Sequence, residues 1–200
     1  MPAIYAWDGT RWTRQVLPDI GKGEINGVVA LGPDNVWAAG TVYANGTTPQ
    51  TTLVLHWDGT AWQRVVSPNA GRRPTWFGGI AVLGPNSIWA VGASTEGGVD
   101  QPFAAYWNGS GWQVTATPNA PDGRLRTVLR TGDGSLVALG GKGTVSIALR
   151  WNPRAKAWQA ERAPDVEFRG AAAIPGSASV WTVGVATKGD LVPVATRYAR

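Results

Sequence analysis

Trp57-Asp58-Gly59-Thr60-Ala61-Trp62 decides the reading of this chain, because it recurs. The pattern appears as Trp7-Asp8-Gly9-Thr10-Arg11-Trp12 and again as Trp107-Asn108-Gly109-Ser110-Gly111-Trp112. A looser copy, with two extra residues in the turn, runs from Trp151 to Trp158. The leading tryptophans at 7, 57, 107 and 151 give a period of about 50 residues, in the range of stacked or radially arranged repeats. A second anchor follows the same period: Val36-Trp37-Ala38-Ala39-Gly40, Ile88-Trp89-Ala90-Val91-Gly92, Leu136-Val137-Ala138-Leu139-Gly140 and Val180-Trp181-Thr182-Val183-Gly184. Before each of these lies a short apolar run ending in a turn, such as Gly27-Val28-Val29-Ala30-Leu31-Gly32-Pro33.

Each repeat reads as four strands, a to d, which in the first full copy cover about 26–32, 35–43, 51–57 and 60–67. Asp-Gly between c and d is a strong hairpin signal, since a two-residue type I′ turn needs positive φ at both central positions. With Asp58-Gly59 as that turn, Trp57 is expected opposite Thr60 and Leu55 opposite Trp62, all on one face. That face stacks on the next sheet, so most of the motif tryptophans are expected in packing between blades rather than on a binding surface. Leu125, Val128 and Leu129 have helical spacing, but their alignment with the other a strands overrides it.

The expected fold is therefore all-β, a four-bladed propeller with four antiparallel strands per blade, in one domain over 1–200. The repeats cover about 19–68, 69–118, 119–164, and 165–200 together with 1–18. The start, Ala3 to Pro18, reads as the end of a c strand plus a d strand, whereas about 170–200 reads as a, b and c. Pairing the N-terminal strand with the C-terminal blade would close the ring and hide its edges. Ile4-Tyr5-Ala6-Trp7 and Thr196-Arg197-Tyr198 both resemble strand c, which leaves open a piece of a larger ring or a homodimer of eight blades beside the monomer.

With both anchors in place, the chain resembles the tryptophan-rich propeller repeats of actinobacterial and related soil-bacterial proteins. Its motif order is also similar to tectonin-type lectin propellers, whose repeats are shorter. The Asp-Gly-Thr-x-Trp turn sits where sialidase-like propellers carry an Asp-box, which implies a structural role for Asp8 and Asp58 rather than an acid–base one. The resemblance implies a propeller and leaves function open, because such scaffolds bind sugars, bind proteins or catalyse.

Composition narrows the chemistry. There is no Cys, which excludes disulfides, Cys–His pairs and thiolate zinc sites, and the one His stands outside the loop face, which leaves no Ser-His-Asp triad there; no cofactor is expected. His56 lies in strand c, where a structurally satisfied ring is expected. No apolar run is long enough for a membrane helix, and residues 1–5 carry neither a basic nor an apolar leader segment, so secreted and cytoplasmic locations both stay open. Net charge is +5, but no basic run exceeds two residues, which makes nucleic acid an unlikely partner.

The d-to-a and b-to-c connections should emerge on one face and carry the binding residues. From these come Tyr43, Arg72, Arg73, Trp76, Phe77, Asp100, Gln101, Arg126, Phe168 and Arg169, with Trp76 and Phe77 read as breaking the repeat register. Arg130 joins them, since it stands in an inner strand where other copies have Ala30, Val82 and Ala173. Aromatic rings beside fixed polar groups suit a carbohydrate or another small polar ligand, and a protein partner is the next expectation. The leading expectation is a non-catalytic, lectin-like module. The alternatives are a carboxylate-dependent glycoside hydrolase or lyase using two of Glu24, Glu96, Asp100, Glu167 and Asp190, and a protein-interaction or structural propeller.

Overall fold

A computed structural model describes residues 2–188 and 190–198, with the side chains of 187–191 left outside the description. The described residues form strands and turns without a helix. After a short hairpin, β1 (Tyr5–Trp7) and β2 (Trp12–Arg14), come three four-stranded antiparallel sheets. The first is β3 (Gly23–Gly32), β4 (Asn35–Val42), β5 (Thr51–Trp57) and β6 (Trp62–Val65). The second is β7 (Thr75–Gly84), β8 (Ser87–Glu96), β9 (Val99–Trp107) and β10 (Trp112–Thr115). The third is β11 (Leu125–Arg130), β12 (Leu136–Lys142), β13 (Val145–Asn152) and β14 (Ala157–Glu161). A last sheet holds β15 (Glu167–Ala173), β16 (Val180–Lys188) and β17 (Asp190–Tyr198). Every sheet meanders in sequence order, and the inner strands β3, β7, β11 and β15 lie side by side.

The middle strands β4, β8 and β12 are apolar on both faces because each is packed on either side, and residues 37–41 of β4 are all buried; β16 instead leaves Trp181 and Val183 exposed. Core clusters sit between neighbouring sheets. Trp37, Ala39 and Val54 meet Ile80, Ile88 and Phe103, and Trp89 and Val91 meet Val128, Leu136 and Leu149. Val137 and Leu139 meet Phe168, Val180 and Tyr198. The inter-sheet role expected of the tryptophans holds for Trp37, Trp62, Trp89 and Trp158, all buried. His56 is a structural ring: its centroid lies 4.4 Å from that of Trp37, and it shares the Asn35 side-chain oxygen Oδ1 with the Trp37 indole N–H.

Two expectations are corrected. The c–d turn is a four-residue loop, not a two-residue one: Trp57 pairs with Trp62 and Leu55 with Arg64. Asp58 causes this, because its Oδ1 accepts from the Thr60 N–H, the Thr60 hydroxyl and the Ala61 N–H, which needs two residues beyond Gly59 inside the loop. The closure of the ring is also not made among the described residues. β2 pairs with β1, and β17 bonds β16 alone. In the hairpin β1 takes the place beside β2 that β17 would fill, and the residues flanking the hairpin pack against the first sheet, with Ile4, Leu17 and Ile20 beside Leu53, Leu55 and Trp62.

Candidate functional site

The inner strands carry one shared irregularity that builds the site. Each contains a β-bulge near its start, between Ile25 and Gly27, Phe77 and Gly79, Leu125 and Thr127, and Phe168 and Gly170. A bulge inserts one unpaired residue and re-aims side chains. The inserted residues are Asn26, Gly78, Arg126 and Arg169, and all four line one polar cleft of about 540 Å³. The residues two positions earlier are Glu24, Trp76, Arg124 and Glu167; the first three line the same cleft, and the fourth is buried against its arginines.

The motif glycines make this geometry possible. Gly40, Gly92, Gly140 and Gly184 lie opposite Ile25, Phe77, Leu125 and Phe168. A Cβ on them would come within 2.0, 1.9, 1.8 and 2.3 Å of the carbonyl oxygens of Glu24, Trp76, Arg124 and Glu167. Gly78 has a related role, since its missing Cβ leaves room for the Trp76 ring lying over it.

Ion pairs fix the charged groups. Asp100 is buried; its Oδ2 accepts from Arg124 Nε at 2.5 Å and from Lys142 Nζ at 3.5 Å, and its Oδ1 accepts from the Thr95 hydroxyl at 2.7 Å. Burial is the largest influence on this carboxyl and pushes it up. The hydrogen bonds from Thr95 and Arg124 and the charges of Arg124 and Lys142 together outweigh it and hold Asp100 below the usual carboxylate range. Glu167 Oε1 accepts from Arg126 at 3.0 Å and forms an ion pair with Arg169 at 3.0 Å, and its Oε2 accepts from the Gly143 N–H at 3.1 Å. Lys142 also meets Asp122 at 2.6 Å, and the Tyr43 hydroxyl donates to Glu24. Four cations (Arg124, Arg126, Lys142, Arg169) thus face four carboxylates (Glu24, Asp100, Asp122, Glu167) in and around the cleft.

Of the residues the sequence singled out, Trp76, Asp100, Arg126 and Arg169 come together in this cleft, and Tyr43 touches it through Glu24. Phe77 and Phe168 do not. Both are fully buried, and they occupy the same position as Ile25 and Leu125, so Phe77 keeps the repeat register instead of breaking it. Arg130 is exposed, with its guanidinium beside Gly134 at the a–b turn, at the opposite end of the strand from the bulge. Gln101 spends its side-chain carbonyl on the Ala120 N–H, and Arg73 pairs with Glu96 at 2.6 Å; Arg72 is exposed outside the lining. The Asp190 side chain lies outside the described residues. Asn26, Thr41, Gln50 and Thr95 line the cleft without having been singled out. A polar–apolar–polar triplet opposite the motif glycine marks the bulge in three inner strands, Glu24-Ile25-Asn26, Arg124-Leu125-Arg126 and Glu167-Phe168-Arg169, while the second has Trp76-Phe77-Gly78 in the same place.

No protein-family model matches this chain, and no curated protein sequence matches it. Among solved structures it is similar to the Aleuria aurantia lectin N224Q mutant in complex with α-methyl-L-fucoside, at TM-score 0.64 and 13% identity, over 98% of this chain and 69% of that one. It is also similar to YCF48 bound to D1 peptide, at TM-score 0.54 and 20% identity, over 88% of this chain and 51% of that one. The chain thus spans about half the length of the YCF48 chain. At these identities the likeness is one of fold, a propeller arrangement of four-stranded sheets.

Proposed function

We propose that the protein is a non-catalytic binding module that holds a neutral carbohydrate in the cleft between its inner strands. One observation carries the reading: the partly exposed Trp76 indole lies beside a charge-balanced set of fixed donors and acceptors. A sugar offers an apolar C–H face for a ring and hydroxyls for immobilised polar groups. The balance of four cations and four carboxylates favours an uncharged polyol over a polyanion such as nucleic acid, which would meet as much repulsion as attraction. Asp100 does not suit the general-acid role of the hydrolase alternative. A general acid needs a carboxyl held above its ordinary range, and Asp100 is held below it. A solved neighbour of the same fold holds a methyl fucoside, so sugar binding lies within what the scaffold supports.

The test is a glycan array with neutral and acidic arms, followed by calorimetric titration of the best neutral glycan. Trp76→Ala and Arg126→Ala should each weaken binding by about tenfold or more, which is about 1.4 kcal/mol. Arg72→Ala, outside the lining, should leave it unchanged. An array with no neutral binder, or a Trp76→Ala variant that binds as tightly as the wild type, overturns the reading.

A further inference from the structure

The junctions between sheets follow a rule, and the β1–β2 hairpin and the last sheet each expose one half of such a junction. At the first junction Trp37 of β4 lies 5.3 and 6.2 Å from Trp107 and Trp112, the pair flanking the next sheet's c–d loop. At the second, Trp89 of β8 lies 4.5 and 5.6 Å from Trp151 and Trp158. One indole from a b strand thus caps the c–d indole pair of the following sheet. The third junction uses smaller groups in the same places, Val137 and Tyr198.

Both halves of a further junction are left over. Trp181 of β16 holds the Trp37 and Trp89 position and is 54% exposed, as is Val183 at the position of Ala39 and Val91. At the other end Trp7 and Trp12 form a c–d pair 5.4 Å apart, 52% and 67% exposed, with Tyr5 beside them on the same face at 53%. Exposed indoles in a contiguous apolar patch mark an interaction surface. Here the two patches are the donor and acceptor sides of an interface the chain already makes twice. The two patches do not cover one another within one chain, since Tyr5, Trp7, Trp12, Trp181 and Val183 are each more than half exposed.

We propose that these surfaces bind a second copy of this chain head to tail, with Trp181 and Val183 of one copy seated on Tyr5, Trp7 and Trp12 of the next. The contact is heterologous, with different patches on its two sides, so it either closes into a ring of copies or continues into longer assemblies.

A heterologous contact makes a prediction that a self-complementary one does not. Wild-type protein in a concentration series, followed by light scattering on a sizing column, should show a mass of two chains or more. Trp181→Ala and Trp12→Ala should each run as one chain, since each removes one side of every junction; circular dichroism confirms that both variants stay folded. Mixing the two variants should restore a species of two chains and no larger, because only one intact junction is available between them. A wild type that stays a single chain at all concentrations overturns the proposal. So does a mixture that fails to associate, or a Trp181→Ala variant that assembles like the wild type. A single-chain wild type that loses stability on either substitution would instead assign the patches to closure within one chain, which also overturns it.

Discussion

Asp58 and Asn108 occupy the same place in successive repeats and make the same turn. The side-chain oxygen of each accepts from two backbone N–H groups and from the intervening hydroxyl, at 2.6–2.9 Å for Asp58 and 2.9–3.0 Å for Asn108. The difference between them is charge. The Thr60 hydroxyl first, and then the Ala61 and Thr60 N–H groups, hold the Asp58 carboxyl well below the usual range, and the matching Asp8 is held down to about 2 by Thr10 and Arg11. A carboxyl whose folded pKa lies below its unfolded value near 3.9 favours the fold fully above roughly that pH, and the contribution is lost as pH falls through the folded pKa. Asp58→Asn should therefore keep its neutral-pH melting temperature close to the wild type and show a shallower loss of stability on acidification, measured by thermal unfolding from neutral pH down to strong acid. An equal acid slope in both proteins would remove Asp58 from the account. The tryptophans give a second prediction. Trp158 donates its indole N–H to the Thr115 hydroxyl at 3.1 Å, whereas Trp112 is half-buried, with its indole N–H buried and unpartnered, and packs beside Val65, which holds the Thr115 position one repeat earlier. Val65→Thr should stabilise the protein by about 1 kcal/mol and Thr115→Val should destabilise it by at least as much, read from chemical denaturation.

At the scale of the strand, the repeat made most elements legible and hid the feature that matters most. Strand b was read at about 35–43 and is Asn35–Val42; strand c was read and found at 51–57. The apolar runs and their turn residues carry this information locally, so no tertiary contact was needed to see it. The expected strand a starts at about 26, but β3 begins at Gly23, and the added residues include Glu24 and Ile25, which lead into the bulge at Asn26. A bulge follows from what lies across the sheet, and sequence spacing along one strand does not reveal that. The glycine closing the second anchor was visible in every repeat, yet its reason appears only with the opposing carbonyl in place. Gly92→Ala tests that reason: a Cβ 1.9 Å from the Trp76 carbonyl oxygen must push the inner strand away, costing about 2–3 kcal/mol by overpacking and moving Trp76 off its seat. Denaturant unfolding reads the first effect and the Trp76-dependent glycan titration reads the second. An unchanged midpoint would contradict the role given to the glycine.

For the whole molecule, a row of sheets gathers residues from across the sequence at one place. Glu24 and Arg169 lie 145 positions apart in the chain and line the same cleft. Periodicity made the row predictable, and part of the cleft with it: Trp76, Asp100, Arg126 and Arg169 were chosen because they fall near the start of the inner strands or just before the outer ones. Phe77 and Phe168 were chosen by the same rule and fail because alternate residues of a strand face opposite ways, and the bulge decides which. The pairing at the ends is hidden from the sequence for a different reason. Ile4–Trp7 and Thr196–Tyr198 are equally good c strands, and local similarity does not say which of them keeps the d strand. The central claim is that the four bulges make one ligand site. Its most direct measurement is a crystal structure of the protein with the neutral oligosaccharide selected on the array. The account predicts a sugar ring over the Trp76 indole, with hydroxyls bonded to the side chains of Arg126 and Asp100. A sugar bound in the outer grooves between neighbouring sheets, with the central cleft unchanged, would contradict it.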